Sequence, residues 1–171
     1  MLEIKTADDL VDAELEARWA LRRAARQTDV LRRVLRTFVE RGGPIRVEDI
    51  VIALPDRAPE EVWDSLIKLD EADLIEVRDG RVEIAYPFSA APTSFVVRLA
   101  GGQERYACCA IDALGVAPML GQPVHVRSRC HHCETPLEFV VAPDGPGPER
   151  REVMLWVGKR WEGERRIATS L

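Results

Sequence analysis

Apolar positions recur at helical spacing in the first half of the chain and alternate with polar ones in the second. Over residues 7–26, Leu10, Leu15 and Trp19 fit one apolar stripe, with a charged back that includes Arg22 and Arg23. Thr6 is the candidate cap, and Asp8 and Asp9 suit the first turn. A second helix is predicted from Thr28 or Asp29, carried by Val30, Leu31, Val34, Leu35 and Phe38 and ended by "RGGP" at 41–44. Residues 45–54 predict a short helix closed by Pro55. Residues 58–75 predict another, with Pro59 in its first turn and Val62, Leu66, Ile67 and Leu69 facing inward. Two alternating strands then flank Asp79-Gly80, a strong hairpin signal.

Helices followed by a hairpin make a winged-helix-like pattern. "PFSAAPT" (87–93) reads as a linker. Beyond it, strands are predicted at 94–100, 122–130, after the 131–135 turn, and at 152–158. Gly101-Gly102 is a turn, 107–114 a helix and 144–150 a loop. The expected fold class is therefore α+β: a winged-helix-like domain over 1–86, a linker over 87–93, and a small mixed or antiparallel sheet domain with helices over 94–171.

Composition narrows the possible partners. The chain has 171 residues, 46% of them hydrophobic, enough for one compact domain or two small ones. Its net charge is -5, and the candidate recognition helix carries Glu60, Glu61, Asp64, Asp70 and Glu71 against Lys68. A groove-reading helix wants Arg, Lys, Asn or Gln, so nucleic acid is not the expected partner. No apolar run is long enough to span a bilayer, and "MLEIKTADDL" has no signal-peptide core; a cytoplasmic protein without a membrane partner is expected. In that compartment the 4 cysteines are expected as thiols or metal ligands. Oligomeric state is not encoded in any of these features.

The cysteines fall into two groups. Cys108-Cys109-Ala110-Ile111-Asp112 sits at a predicted helix start near Ala107, where free amides favour thiolate. Asp112 follows Cys109 by one turn, on the same face. A thiolate beside a protonatable carboxyl can grip a soft electrophile and deliver a proton next to it. The alternative is that "ACCAI" is a buried helix start, since free cysteine packs well in cores. The second group, "RCHHCE", places Cys130 and Cys133 at zinc-knuckle spacing, with His131, His132, His125 or the 108–109 pair as the other ligand sources. A turn carrying a thiol pair is the alternative. His125 is expected at a strand edge or surface, Arg127 and Glu138 facing solvent, and Trp63, Trp156 and Trp161 in packing roles. There is no Walker motif, phosphate-binding glycine loop or serine elbow.

The run from Tyr86 to Val141, with its "YP-S-PT" linker, "YACCAID-L" and "RSRC", resembles the organomercurial (alkylmercury) lyases. The similarity extends over roughly residues 30–143, including the winged-helix-like module. That family cleaves carbon–mercury bonds by protonolysis. The resemblance implies that Cys109 is the first mercury-binding thiol, that Asp112 takes and returns the proton, and that Cys130 is a buried structural cysteine. The family's second mercury-binding thiol lies in a C-terminal segment whose counterpart here, "WEGERRIATSL", has no cysteine; Cys108 and Cys133 are the candidate replacements. The implied function is carbon–mercury (or related organometal) cleavage with no required cofactor. The alternatives are a non-catalytic Hg, Cu or Zn binder or sensor using Cys108, Cys109, Cys130 and Cys133, and then a winged-helix regulator. A small molecule or metal ion is the expected partner.

Overall fold

The computed structural model describes residues 28–148 and 152–155, together with positions 17 and 20. Apart from positions 17 and 20, which are helical, the predicted helix over 7–26 lies outside the described residues, as do Trp156 and Trp161. Helix α1 spans Thr28–Arg41, β1 Ile45–Arg46, α2 Val47–Ile52 and α3 Pro59–Glu71. Strands β2 (Ile75–Arg78), β3 (Arg81–Ala85) and β4 (Phe88–Ser89) follow, then β5 (Val96–Arg98) and β6 (Glu104–Ala107). Helix α4 spans Ala110–Leu120, and β7 (Val124–Arg129), β8 (Pro136–Ala142) and β9 (Gly145–Pro146) complete the described elements.

The fold is α+β. One antiparallel sheet runs in the order β1-β3-β4-β6-β5-β7-β8-β9, with β2 also paired to β3. β4 lies inside the 87–93 segment and carries the sheet from the hairpin strand β3 to β6, through Ala85↔Phe88 and Phe88↔Ala107. The expected helix at 45–54 begins as a strand instead: Ile45 and Arg46 pair with Val82 and Arg81, and the helix starts only at Val47. The helix expected to 75 stops at Glu71, because Asp73 takes a left-handed φ of 57° and Ile75 enters the sheet. Ile67 and Trp63, expected inside, are exposed. The 144–150 loop contains β9, and residues 152–155, expected to begin a strand, carry no strand.

A single core joins the helices to the sheet. It runs from Val30, Val34 and Phe38 on α1 through Val62, Leu66 and Leu69 on α3 to Phe88, Val97, Ala117 and Val126. Phe38 and Phe88 stack with ring centroids 6.2 Å apart and are both fully buried. Burial of such a ring contributes about 1.5–3 kcal/mol.

Arg105 on β6 adds a polar tie. Its Nε donates to the Phe38 carbonyl and its Nη2 to the Val39 carbonyl at 2.6 Å. These are orphan carbonyls of the last turn of α1, which the Gly42 amide also helps satisfy, donating to Phe38 at 2.9 Å. Gly42 takes φ 80°, where a side chain would be strained. At Gly43 a Cβ would lie 2.6 Å from the Phe38 ring and 2.9 Å from Ala90. The end of α1 is thereby pressed onto the strand that leads into the Cys108-Cys109 segment.

Candidate functional site

β6 ends at Ala107 under restraint from both sides. The Ala107 amide donates to the Phe95 carbonyl at 2.9 Å, and the Thr93 hydroxyl donates to the Ala107 carbonyl at 2.7 Å. The Cys108 amide then donates to the Pro87 carbonyl at 3.0 Å. The chain cannot enter a helix while these bonds hold, so α4 begins at Ala110 rather than near Ala107 as the apolar pattern predicts. Cys109 becomes its N-cap, in extended conformation (φ -148°, ψ -178°).

This shift explains the Cys-x-x-Asp spacing. The Asp112 amide, third in the helix, donates to Cys109 Sγ at 3.4 Å. The Asp112 carboxylate reaches back to the Cys109 backbone amide. Together they form a capping box, with cysteine in the place usually taken by serine or threonine and aspartate in that of glutamate or glutamine. One further bond has no counterpart in an ordinary capping box: the Cys109 thiol donates to Asp112 Oδ2 at 3.0 Å. The two reactive groups are thus joined directly.

Cys108 and Cys109 differ in exposure. The chain bends at these two residues, between the end of β6 and the start of α4. Cys108 is buried, 6% exposed, whereas Cys109 is half-buried on the helix start. Burial first, and then the charges of Asp112, Cys109 and Glu76, push the Cys108 thiol far above its ordinary range. Burial also pushes Cys109 up, to about 11, and its bond to Asp112 adds to this, while the Asp112 and Ile111 amides oppose it. The expected thiolate-favouring effect of the helix start is therefore present but outweighed by burial. Burial raises the Asp112 carboxyl, against hydrogen bonds from the Cys109 thiol and amide.

Cys130 and Cys133 lie in a different place, at the tip of the β7–β8 hairpin. The Cys130 amide donates to the Thr135 carbonyl at 2.9 Å and the Glu134 amide to the Cys130 carbonyl at 2.9 Å, closing the turn with Glu134 left-handed at φ 59°. Cys130, implied to be buried, is only half-buried, because the turn rises off the sheet end. Cys133 is fully exposed; hydrogen bonds from the Thr135 hydroxyl, the Thr135 amide and the Cys130 thiol hold it below the ordinary thiol value. Among the described residues no group of three or more His, Cys, Asp or Glu gathers as a metal site. His125, expected at an edge or surface, is half-buried on the interior strand β7, with Nδ1 3.4 Å from Glu138. Arg127 pairs with Glu104 at 3.2 Å.

Sequence reasoning missed Tyr86. Its hydroxyl is buried and has no hydrogen-bond partner among the described residues. It precedes Pro87, whose carbonyl holds Cys108, and it lies within electrostatic reach of Asp73, Cys108, Asp112 and Glu76. Burial, then those charges, raises the phenol far above its usual range, so it is a fixed donor. The signal available was only its place in the "YP" pair before the linker, since two residues of a local pattern do not reveal a cross-strand neighbour.

The site is thus a thiol and a carboxyl joined by one hydrogen bond at a helix start, on an antiparallel α+β scaffold. The profile described as "MerB: Alkylmercury lyase" matches residues 88–170. The chain is 34% identical over 122 residues to an alkylmercury lyase of Streptomyces lividans, covering 71% of this chain and 54% of the relative. It is 34% identical over 112 residues to an alkylmercury lyase of Staphylococcus epidermidis, covering 66% of this chain and 50% of the relative. The fold is similar to a crystal structure of the mercury-bound form of MerB2, with TM-score 0.60 and 24% identity over 80% of this chain and 66% of that one. The chain belongs to the alkylmercury lyase family. It spans about half the length of the curated relatives it matches.

Proposed function

We propose that this protein cleaves carbon–mercury bonds of organomercurials by protonolysis, with Cys109 and Asp112 as the catalytic residues. The observation that carries this reading is the 3.0 Å bond from the Cys109 thiol to Asp112 Oδ2. It provides in advance the path along which a proton must move.

The substrate is an organomercurial carried by a small thiol, R′S–Hg–R. Mercury, a soft acceptor, approaches the Cys109 sulfur. As the Hg–S bond forms, the thiol proton passes to Asp112 along the existing hydrogen bond. Cys109, with its pKa near 11, needs such a base, and burial makes Asp112 a better proton acceptor than a surface carboxylate. Mercury then carries two sulfurs, which enrich the Hg–C bond and make its carbon basic. Asp112 returns the proton to that carbon, the Hg–C bond breaks and R–H departs, leaving Cys109–S–Hg–SR′. Atoms balance: one thiol proton becomes the new C–H hydrogen. The carrier thiol supplies the second sulfur, a role that burial makes Cys108 poorly suited to take. Tyr86 contributes a buried hydroxyl donor within electrostatic reach of both Cys108 and Asp112. The match to curated alkylmercury lyases and the likeness to a mercury-bound relative support this choice of substrate.

The test is release of benzene from phenylmercury, or methane from methylmercury, by the purified chain in excess thiol. Release is expected from the native protein and not from Cys109→Ser or Asp112→Asn. Hydrocarbon production no greater than in the thiol-only blank would end this reading.

A further inference from the structure

Besides the buried Cys108, two cysteines remain that the cleavage reaction does not use. Both are at the tip of the β7–β8 hairpin, and both are free thiols. The turn that carries them is closed by two backbone hydrogen bonds of 2.9 Å and by the left-handed Glu134 immediately after Cys133. This geometry brings residues 130 and 133 to one side of the turn, and the Cys130 side chain lies close enough to act on the Cys133 thiol. The two thiols are therefore neighbours at one hairpin tip. Thr135 Oγ1, 3.1 Å from Cys133 Sγ, holds the outer sulfur in place. Cys133, His131, His132 and Glu134 are all exposed, so the point is open to solvent.

We propose that Cys130 and Cys133 form a second, surface site, a two-sulfur clamp for a soft thiophilic cation of the Hg(II) class. A soft two-coordinate ion needs only two thiolates, which fits a place where no third His, Cys, Asp or Glu converges among the described residues. The exchange balances when the ion arrives as a bis-thiolate complex: Hg(SR)2 gives up two RSH, which carry off the two cysteine protons, and two new Hg–S bonds form to Cys130 and Cys133. Once one sulfur has bound, the second is already adjacent. Its effective concentration is on the order of millimolar or above, so the clamp outlasts single thiols.

The sheet places this clamp on the same side as the first site. β6 and β7 both run antiparallel to β5, through Val96↔Tyr106 and Val96↔Arg127, and so finish at the same end of the sheet. Cys109 follows the end of β6 and Cys130 the end of β7. Two strand spacings separate them, roughly 10 Å in the plane of the sheet. The clamp does not depend on carbon–mercury cleavage; inorganic Hg(II) suffices to probe it.

The experiment uses the Cys109→Ser chain, which removes the first site's thiol. The protein is equilibrated with Hg(II) and excess monothiol, desalted, and its mercury measured per chain. One ion per chain is expected. Adding Cys133→Ser, a fully exposed position that leaves the fold intact by circular dichroism, is expected to lower retention at least tenfold. Equal retention with and without the Cys133 sulfur, or no retention by the Cys109→Ser chain, would overturn the clamp. Failure of hydrocarbon release with retention intact would instead count against the cleavage reading alone.

Discussion

Cys109 and Asp112 exchange hydrogen bonds in both directions: the thiol donates to the carboxylate at 3.0 Å, and the Asp112 amide donates to the sulfur at 3.4 Å. The same pair therefore starts helix α4 and holds the candidate proton path. Structural and chemical roles overlap, and substitutions separate them.

Cys109→Ser keeps a good N-cap, whereas Cys109→Ala removes it. Loss of a cap costs about 0.5–2 kcal/mol. Chemical denaturation is expected to show the serine variant close to the native protein and the alanine variant less stable by that amount. Both should fail to release hydrocarbon, so activity and stability part company at this residue.

The pH dependence follows from the raised Cys109 thiol. Its folded value of about 11 exceeds the ordinary 9.0, so folding favours the protonated form. That stability is fully present below pH 9.0 and is lost as pH rises through about 11. Urea midpoints are expected to fall across this window, less steeply in Cys109→Ser. In the same protein, alkylation at neutral pH followed by peptide mass spectrometry should label the exposed Cys133 before Cys109 and Cys108.

Arg105→Ala leaves the Phe38 and Val39 carbonyls without their guanidinium donors. A lost charged hydrogen bond of this kind costs roughly 1.5–3 kcal/mol. The expected result is a lower unfolding midpoint with a single transition, measured by tryptophan fluorescence. Lysine should restore only part, because it lacks the fork that reaches two carbonyls at once.

Gly43→Ala drives a methyl into the Phe38 ring and Ala90. Overpacking of this kind costs about 1–3 kcal/mol. Thermal unfolding is the check, and Phe38→Leu on the alanine background should recover part of the loss by vacating ring volume.

Tyr86→Phe removes a buried hydroxyl that has no partner among the described residues. An unpaired buried donor is a cost to the fold, so the variant is expected to be as stable as the native protein or more so, by up to about 1–3 kcal/mol. A fall in hydrocarbon release without a fall in stability would assign the hydroxyl to the substrate; a clear loss of stability would show that it has a structural partner.

Much was legible in the chain itself, for local reasons. The apolar spacing of Val30, Val34 and Phe38 marks α1, and Asp79-Gly80 marks the β2–β3 hairpin, because both depend on contacts a few residues away. Cys109 and Asp112 stand out because spacing on a helix is a local property. The strand at Ile45–Arg46 was not legible, since only its pairing with β3 distinguishes it from the helix that follows. The burial of Phe88 and the exposure of Ile67 depend on which face a neighbouring element covers.

The sequence by itself determined the alternating pattern that makes an α+β chain, the family resemblance, and the presence of a thiol and an acid one helical turn apart. Only the tertiary structure decided where α4 begins, because hydrogen bonds to the Phe95 and Pro87 carbonyls and from the Thr93 hydroxyl, distant in sequence, keep residues 107 and 108 out of the helix. That one choice turns Cys109 into the cap of α4 and sets its proton on a line to Asp112. Burial, which sums over neighbours from the whole fold, then fixes that proton on sulfur rather than leaving a thiolate.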